Sequence, residues 1–211
     1  MQTKLFGGIR EQELEDMLKC LGAVKKEFAK GEYIFRVGEY LSSAALLLDG
    51  CVHIQKEDYW GNLSILGEVS RGELFGEAYA VPGSSPMAND AVAASPCTVL
   101  FLDFGRVLTM CPSSCRFHAQ LIQNYFMVLA GKNRTLTQKL DHMSKRNTRE
   151  KLLSYLSEQS RRAGSASFTI PFNRQQLADY LAVDRSAMSS ELGKMKKEGI
   201  LEFEKSWFEL K

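Results

Sequence analysis

The apolar positions of this chain change rhythm three times. Leu14, Met17, Leu18 and Leu21 recur at i, i+3, i+4 and i+7, the spacing of one helix face. Beyond Gly22 the period shortens. Apolar pieces at 24–29, 33–36, 45–49, 52–57, 63–69, 91–94 and 98–103 are separated by intervals holding Gly31, Gly38, Gly50, Gly61, Gly72, Gly76 and Gly83. Short strands divided by turn glycines predict an antiparallel sandwich or barrel. From about Ser114 to His142 the helical period returns, free of proline, with Phe117, Leu121, Tyr125, Val128, Leu129, Leu136, Leu140 and Met143 as its stripe. Such a helix spans roughly 40 Å at 1.5 Å per residue. A small β domain cannot bury all of it, so a second copy of the chain is the expected partner; the alternative is packing on its own domain.

The last third is helical in shorter pieces. Asn147 followed by Glu150 predicts a capping box opening a helix with Leu152, Leu153 and Leu156, expected to end before Arg161. Residues 173–199 then read as two helices joined by Ala182-Val183-Asp184. Leu177 and Leu181 lie on one face of the first, with small Ala178 where another helix approaches. Met188, Leu192 and Met195 lie on one face of the second, with Asp184 as its N-cap. Residues 201–210 read as a β-hairpin turning at Lys205-Ser206.

Charge changes this picture from helical hairpin to polyanion reader. The net charge is only +2, yet residues 1–110 hold ten Lys/Arg against fifteen Asp/Glu. Residues 111–144 hold four against one, and 145–211 thirteen against nine. The basic excess therefore sits behind an acidic front, a pattern expected of a module that meets nucleic acid. The second helix of the pair carries Arg185, Ser186, Ser189 and Ser190 on its polar face, then Lys194, Lys196 and Lys197. A major groove admits one helix, with its N-terminal residues towards base edges. Arginine donates two hydrogen bonds to guanine, and serine serves several bases. Arg174, Lys194, Lys196 and Lys197 are the expected phosphate contacts, which add sequence-blind, salt-dependent affinity.

Other classes are excluded by what is missing. No apolar run approaches the length of a membrane helix, and the N-terminus has no signal-peptide core. Five cysteines scattered along the chain are read as reduced thiols, which points to the cytoplasm. The chain has no phosphate-cradling Gly-x-x-x-x-Gly-Lys, no Gly-x-Ser-x-Gly and no paired-His motif, so no enzymatic activity is expected.

Several segments together resemble the Crp/Fnr family of bacterial transcription regulators. These are residues 30–39 (KGEYIFRVGE), 46–52 (LLLDGCV), 72–77 (GELFGE), 173–178 (NRQQLA) and 183–186 (VDRS). The resemblance covers nearly the whole chain. It implies an α+β architecture: an antiparallel jelly-roll-like β-roll sensor at 1–112, a dimerisation helix at 113–143 and a winged helix-turn-helix at 144–211. It also implies a cytoplasmic homodimer on pseudo-palindromic double-stranded DNA, a small-molecule effector, RNA polymerase as a further partner, and no bound cofactor. The implied effector contacts are Gly76, Glu77, Ala78, Met87 and Ala88, with the amides after Gly76 at a helix N-terminus. Members that bind cyclic AMP hold its phosphate with an Arg-Ser pair where Met87-Ala88 stands here. Without that guanidinium the cyclic phosphate loses a charge-assisted bond of about 1.5–3 kcal/mol, so cyclic AMP is not the expected effector. Gly76 and Glu77 then fit either a ligand contact or a turn with a structural hydrogen bond. Serine at 190 also departs from the arginine often found there, which shifts base reading onto Arg185, Ser186 and Ser189.

Some members carry an iron–sulfur cluster on N-terminal cysteines. Here only Cys20 lies near the N-terminus, so that framework is absent. Cys111, Cys115 and His118 would share a helix face and offer two sulfurs and an imidazole to a metal, whereas Pro112 favours Cys111 ahead of the helix and packed thiols. His53 and His142 have no visible partner in the sequence. Two alternatives to an effector-responsive regulator follow: a ligand- or partner-binding protein with weakened DNA contact, and a cysteine-based redox or metal sensor.

Overall fold

A computed structural model describes residues 3–61, 63–109 and 116–211. The chain divides into two compact units, 1–129 and 130–211.

The first unit opens with a 3-10 turn, Lys4–Phe6, and helix α1, Glu11–Cys20. Eight strands follow: β1 Val24–Phe28, β2 Tyr33–Phe35, β3 Ser43–Asp49, β4 Val52–Glu57, β5 Leu63–Val69, β6 Leu74–Phe75, β7 Asp90–Ala93 and β8 Cys97–Asp103. They form two antiparallel four-stranded sheets, ordered β1-β8-β3-β6 and β2-β7-β4-β5. The expected strands are all present. The two-residue β6 and the short helix α2, Phe104–Leu108, go beyond the pattern of the sequence. Both are too short to carry a period, and the pairing of Leu74 and Phe75 with Leu46 and Ala45 fixes β6.

Strand alternation explains the unbroken apolar run at the centre of β3. Ala45 and Leu47 face the sandwich interior with Phe35, Val52, Phe75, Met87 and Val99. Ala44 and Leu46 face the other way, onto Leu5, Phe6, Leu14, Met17 and Leu102. A strand buried on both faces has no polar side to show. Between β3 and β4, Gly50 sits at φ +92°, and a Cβ there would lie 2.5 Å from the Cys97 Cβ, so only glycine makes this turn.

Helix α3, Arg116–Met143, is the long helix, and its first half corrects the expected stripe. Leu121 and Tyr125 are buried in their own unit, with Phe117 and Leu129 partly buried beside them. Phe126, Leu136 and Leu140 are instead 70%, 61% and 66% exposed. With Ile122, Leu129, Asn133 and Met143 they follow a 4-3 spacing along a single helix face. Part of the sequence stripe thus packs at home, and a different seam remains open.

The second unit contains α4 Thr148–Ala163, β9 Ser167–Thr169, α5 Arg174–Leu181, α6 Arg185–Lys197, β10 Leu201–Glu204 and β11 Trp207–Leu210. Helix α4 runs through Arg161 and Arg162 rather than stopping before them. Both guanidiniums reach back to Glu158, at 2.5 and 3.1 Å, and left-handed Gly164 ends the helix. Asn147 is its N-cap as expected, but the box does not close on Asn147. The Asn147 side chain accepts from the Glu150 amide, but the Glu150 carboxylate accepts from the Arg146 N–H. The hairpin is extended by β9, giving the order β10-β11-β9.

Candidate nucleic-acid interface

The reading surface is built from the interior outwards. Leu177, Ala178 and Leu181 of α5 and Met188, Leu192 and Met195 of α6 are fully buried together. That close contact is possible because position 178 is an alanine. Asn173 and Gln176 cap α5 reciprocally: Asn173 Oδ1 accepts from the Gln176 N–H at 3.0 Å, and Gln176 Oε1 from the Asn173 N–H at 2.8 Å. Ala182 takes the left-handed conformation that reverses the chain. Lys151 Nζ donates to the carbonyls of Leu181 and Ala182, at 3.2 and 3.3 Å, satisfying the C-terminus of α5. Asp184 caps α6, its Oδ1 accepting from the Ala187 N–H at 2.7 Å.

This frame leaves Arg185, Ser186, Ser189 and Ser190 exposed on the N-terminal half of α6. Lys194 is exposed and ion-paired with Glu191 at 3.3 Å, and Lys196 with Glu202 at 2.6 Å. Pairs this open contribute about 0–1 kcal/mol, so both lysines can exchange partners at little cost. Behind them Arg149 of α4 bridges Glu191 and Glu198, tying α4 to α6. Nothing in the hydrophobic pattern announced Arg149 or Lys151; both act through carbonyls and carboxylates that only the fold brings near.

Arg174 has a role beyond the one expected. Its guanidinium stacks over the rings of Phe203 and Phe208 at 4.7 and 5.0 Å, and burial holds it below its ordinary pKa. It therefore joins α5 to the hairpin. The hairpin turns at Lys205-Ser206, with Lys205 at φ +50°. Ser206 Oγ donates to the Phe172 carbonyl at 3.1 Å, and Trp207 Nε1–H to Ser167 Oγ at 2.9 Å.

The residues expected to contact an effector lie in the first unit. Gly76 holds φ +73°, and a Cβ there would sit 2.7 Å from the Phe35 ring. The next residues form a turn closed by the Tyr79 and Ala80 N–H groups on the Gly76 carbonyl, both at 3.1 Å. The expected helix N-terminus is not formed, because the chain reverses within one turn. Glu77 is buried; Ala78 is exposed. Burial, aided by the charge of Glu77, pushes the hydroxyl of Tyr125 on α3 up to about 12. Met87 lies in the sandwich core, while Ala88 is exposed. Two open cavities of about 660 and 400 Å³ are lined by other residues, including Lys26, Phe28 and Tyr33.

The three histidines all have partners. His53 Nε2 is 3.6 Å from a Glu68 carboxylate oxygen. His142 Nδ1 is 2.9 Å from Ser154 Oγ. The buried His118 Nε2–H donates to the Val107 carbonyl at 2.7 Å. Cys111 and Cys115 lie outside the described residues, so the suggested Cys-Cys-His face has no structural description beyond His118. No helix among the described residues is long and apolar enough to cross a membrane.

Comparison with known proteins gives one consistent picture. Residues 25–114 match the family described as "Cyclic nucleotide-binding domain", and residues 150–211 the "Crp-like helix-turn-helix domain". The fumarate and nitrate reduction regulatory proteins of Escherichia coli K12 and Salmonella typhimurium are 24% identical over 199 residues, covering 92% of this chain and 76% of each relative. Among solved structures, the Thermus thermophilus catabolite activator protein matches with TM-score 0.57 and 22% identity, over 99% of this chain and 94% of its own. CprK complexed with OCPA matches at 0.69 and 19%, over 95% and 91%. Both structures share the fold.

Proposed function

Because the chain belongs to the Crp/Fnr family of DNA-binding transcription regulators, we propose that it binds a pseudo-palindromic operator as a homodimer under control of a small effector. The observation that carries the DNA reading is the exposed Arg185, Ser186, Ser189 and Ser190 face on a helix whose opposite face is fully buried. In this reading Arg185 donates to a guanine edge and the serines to neighbouring bases. Arg174, Lys194, Lys196 and Lys197 contact phosphates.

The dimer reading rests on the open seam of α3. Phe126, Leu136 and Leu140 are exposed apolar residues at coiled-coil spacing, with Asn133 in the same row. A single polar residue in such a seam fixes register and favours two strands at some cost in stability. Two-fold pairing gives half-sites about 34 Å apart, one helical turn of DNA.

The effector contacts proposed are Gly76, Glu77, Ala78, Met87 and Ala88. Met87 makes this region apolar where a cyclic phosphate would need a cation, which disfavours cyclic AMP. Because Met87 and Glu77 are buried, a ligand entering there must favour a rearranged β-roll over the packed one. Tyr125 of α3 packs in the same core as Leu74 and Ala80 on either side of this turn, which supports α3 as the element that feels the change. The cytoplasm is the proposed compartment, RNA polymerase a further partner, and catalysis no part of the function; all three rest on family membership.

Selection of duplexes from a random library by the full chain at low salt tests this. The expected product is a pseudo-palindrome with half-sites one turn apart, reduced to single half-sites by the double change Leu136→Asp, Leu140→Asp. Recovery of no preferred sequence would overturn the reading.

A further inference from the structure

We propose that Cys51, His53 and Glu68 form a transition-metal site suited to Zn(II) on the β4–β5 ribbon. None of the regulator's proposed contacts uses these residues. The thiol, imidazole and carboxylate ligand atoms all lie within 4.8 Å of one another. The strand register brings them together. His53 of β4 and Glu68 of β5 are directly opposed partners. Cys51 precedes His53 by two residues, so both side chains leave the same face of the ribbon.

The three groups already lie close together. His53 Nε2 is 3.6 Å from a Glu68 oxygen, and the Cys51 sulfur lies within 4.8 Å of both groups. Tetrahedral zinc with bonds of about 2.0–2.3 Å needs ligand atoms about 3.3–3.6 Å apart. Against the 4.8 Å bound the remaining gap is at most about 1 Å, within the reach of side-chain rotation.

The frame beneath Cys51 is rigid. Its N–H donates to Ser95 Oγ at 3.0 Å, and its carbonyl accepts from the Ala94 N–H at 2.9 Å. Gly50 just before it tolerates no side chain. Cys51 and His53 are half-buried while Glu68 is exposed, which leaves an entry path and room for water as a fourth ligand. One thiolate, one imidazole and one carboxylate suit zinc or copper and discriminate against magnesium and calcium, which take all-oxygen shells.

The test uses the full chain, stripped with a chelator and kept reduced without thiols. It is titrated with Zn(II) against a chromogenic chelator, and separately with Co(II). The proposal expects one tightly held zinc per chain, and a thiolate-to-cobalt charge-transfer band in the unmodified protein. Cys51→Ser removes that band, and His53→Gln or Glu68→Gln weakens zinc by about tenfold or more. The double change Cys111→Ser, Cys115→Ser leaves binding intact. Absence of stoichiometric zinc and of the cobalt band overturns the site, as does binding that survives Cys51→Ser or disappears with Cys111→Ser, Cys115→Ser.

Discussion

In α6 the four residues assigned to bases stand exposed, on a helix whose other face is fully buried. In the β-roll the residues assigned to the effector are mostly consumed by packing: Glu77 is buried and Met87 belongs to the sandwich core. Only Ala78 and Ala88 of that set are exposed. The contrast fits the two proposed ligands. A DNA duplex is a rigid surface that a finished helix can meet without rearranging, whereas a small effector is useful only if it changes which packing is preferred. The reader should therefore tolerate surface substitution and suffer from core substitution. The sensor should respond to changes that alter its closed packing.

The largest effect tests the reader's foundation. Leu192→Ala empties a fully buried position between α5 and α6 and should cost about 2–5 kcal/mol, measured by denaturant unfolding. A cost near zero would mean that the buried face does not hold the reading face. Next, Gly76→Ala forces a Cβ against Phe35 at a left-handed backbone position and should destabilise the first unit by about 1–3 kcal/mol. Were the protein unaffected, the turn would be looser than the closed-sensor description requires.

A smaller effect is expected at Lys197, which is exposed on α6. Lys197→Ala should weaken preferred and scrambled duplexes alike and lower the salt slope by about 1. A change in sequence preference would instead make Lys197 a base reader.

The smallest concerns His142, buried against Tyr155 and Tyr180. Burial lowers its pKa, outweighing the opposing pull of Asp141 and Glu158, while Arg162 and Lys145 lower it further. The folded state thus prefers the neutral ring. Its contribution is complete above the ordinary value of 6.5 and is lost as pH falls through the lowered folded value. The unfolding midpoint of the second unit should drop in that window, and His142→Gln should flatten the drop.

Much of this was legible because period and capping are local. The α5–turn–α6 boundaries follow from Asn173, Asp184 and the Leu/Met spacings, and the structure keeps them. The strands of the roll followed from glycine-punctuated apolar runs. What escaped was non-local. The stripe of α3 mixed inward Leu121 and Tyr125 with outward Leu136 and Leu140, because a helix with two apolar faces has no single period. Strand β9 exists through its pairing with β11, and Arg174 stacks on rings some thirty residues away. His53 gained its partner across a strand pair that no spacing along the chain reveals.

The most direct test of the central claim, that the exposed face of α6 reads sequence, is an affinity ratio. Binding of the full chain to its selected duplex and to a scrambled one is measured for the unmodified protein and for Arg185→Ala at matched salt. The account predicts that Arg185→Ala loses about 1–3 kcal/mol on the selected duplex and much less on the scrambled one, collapsing the ratio at one base position. An unchanged ratio would contradict it.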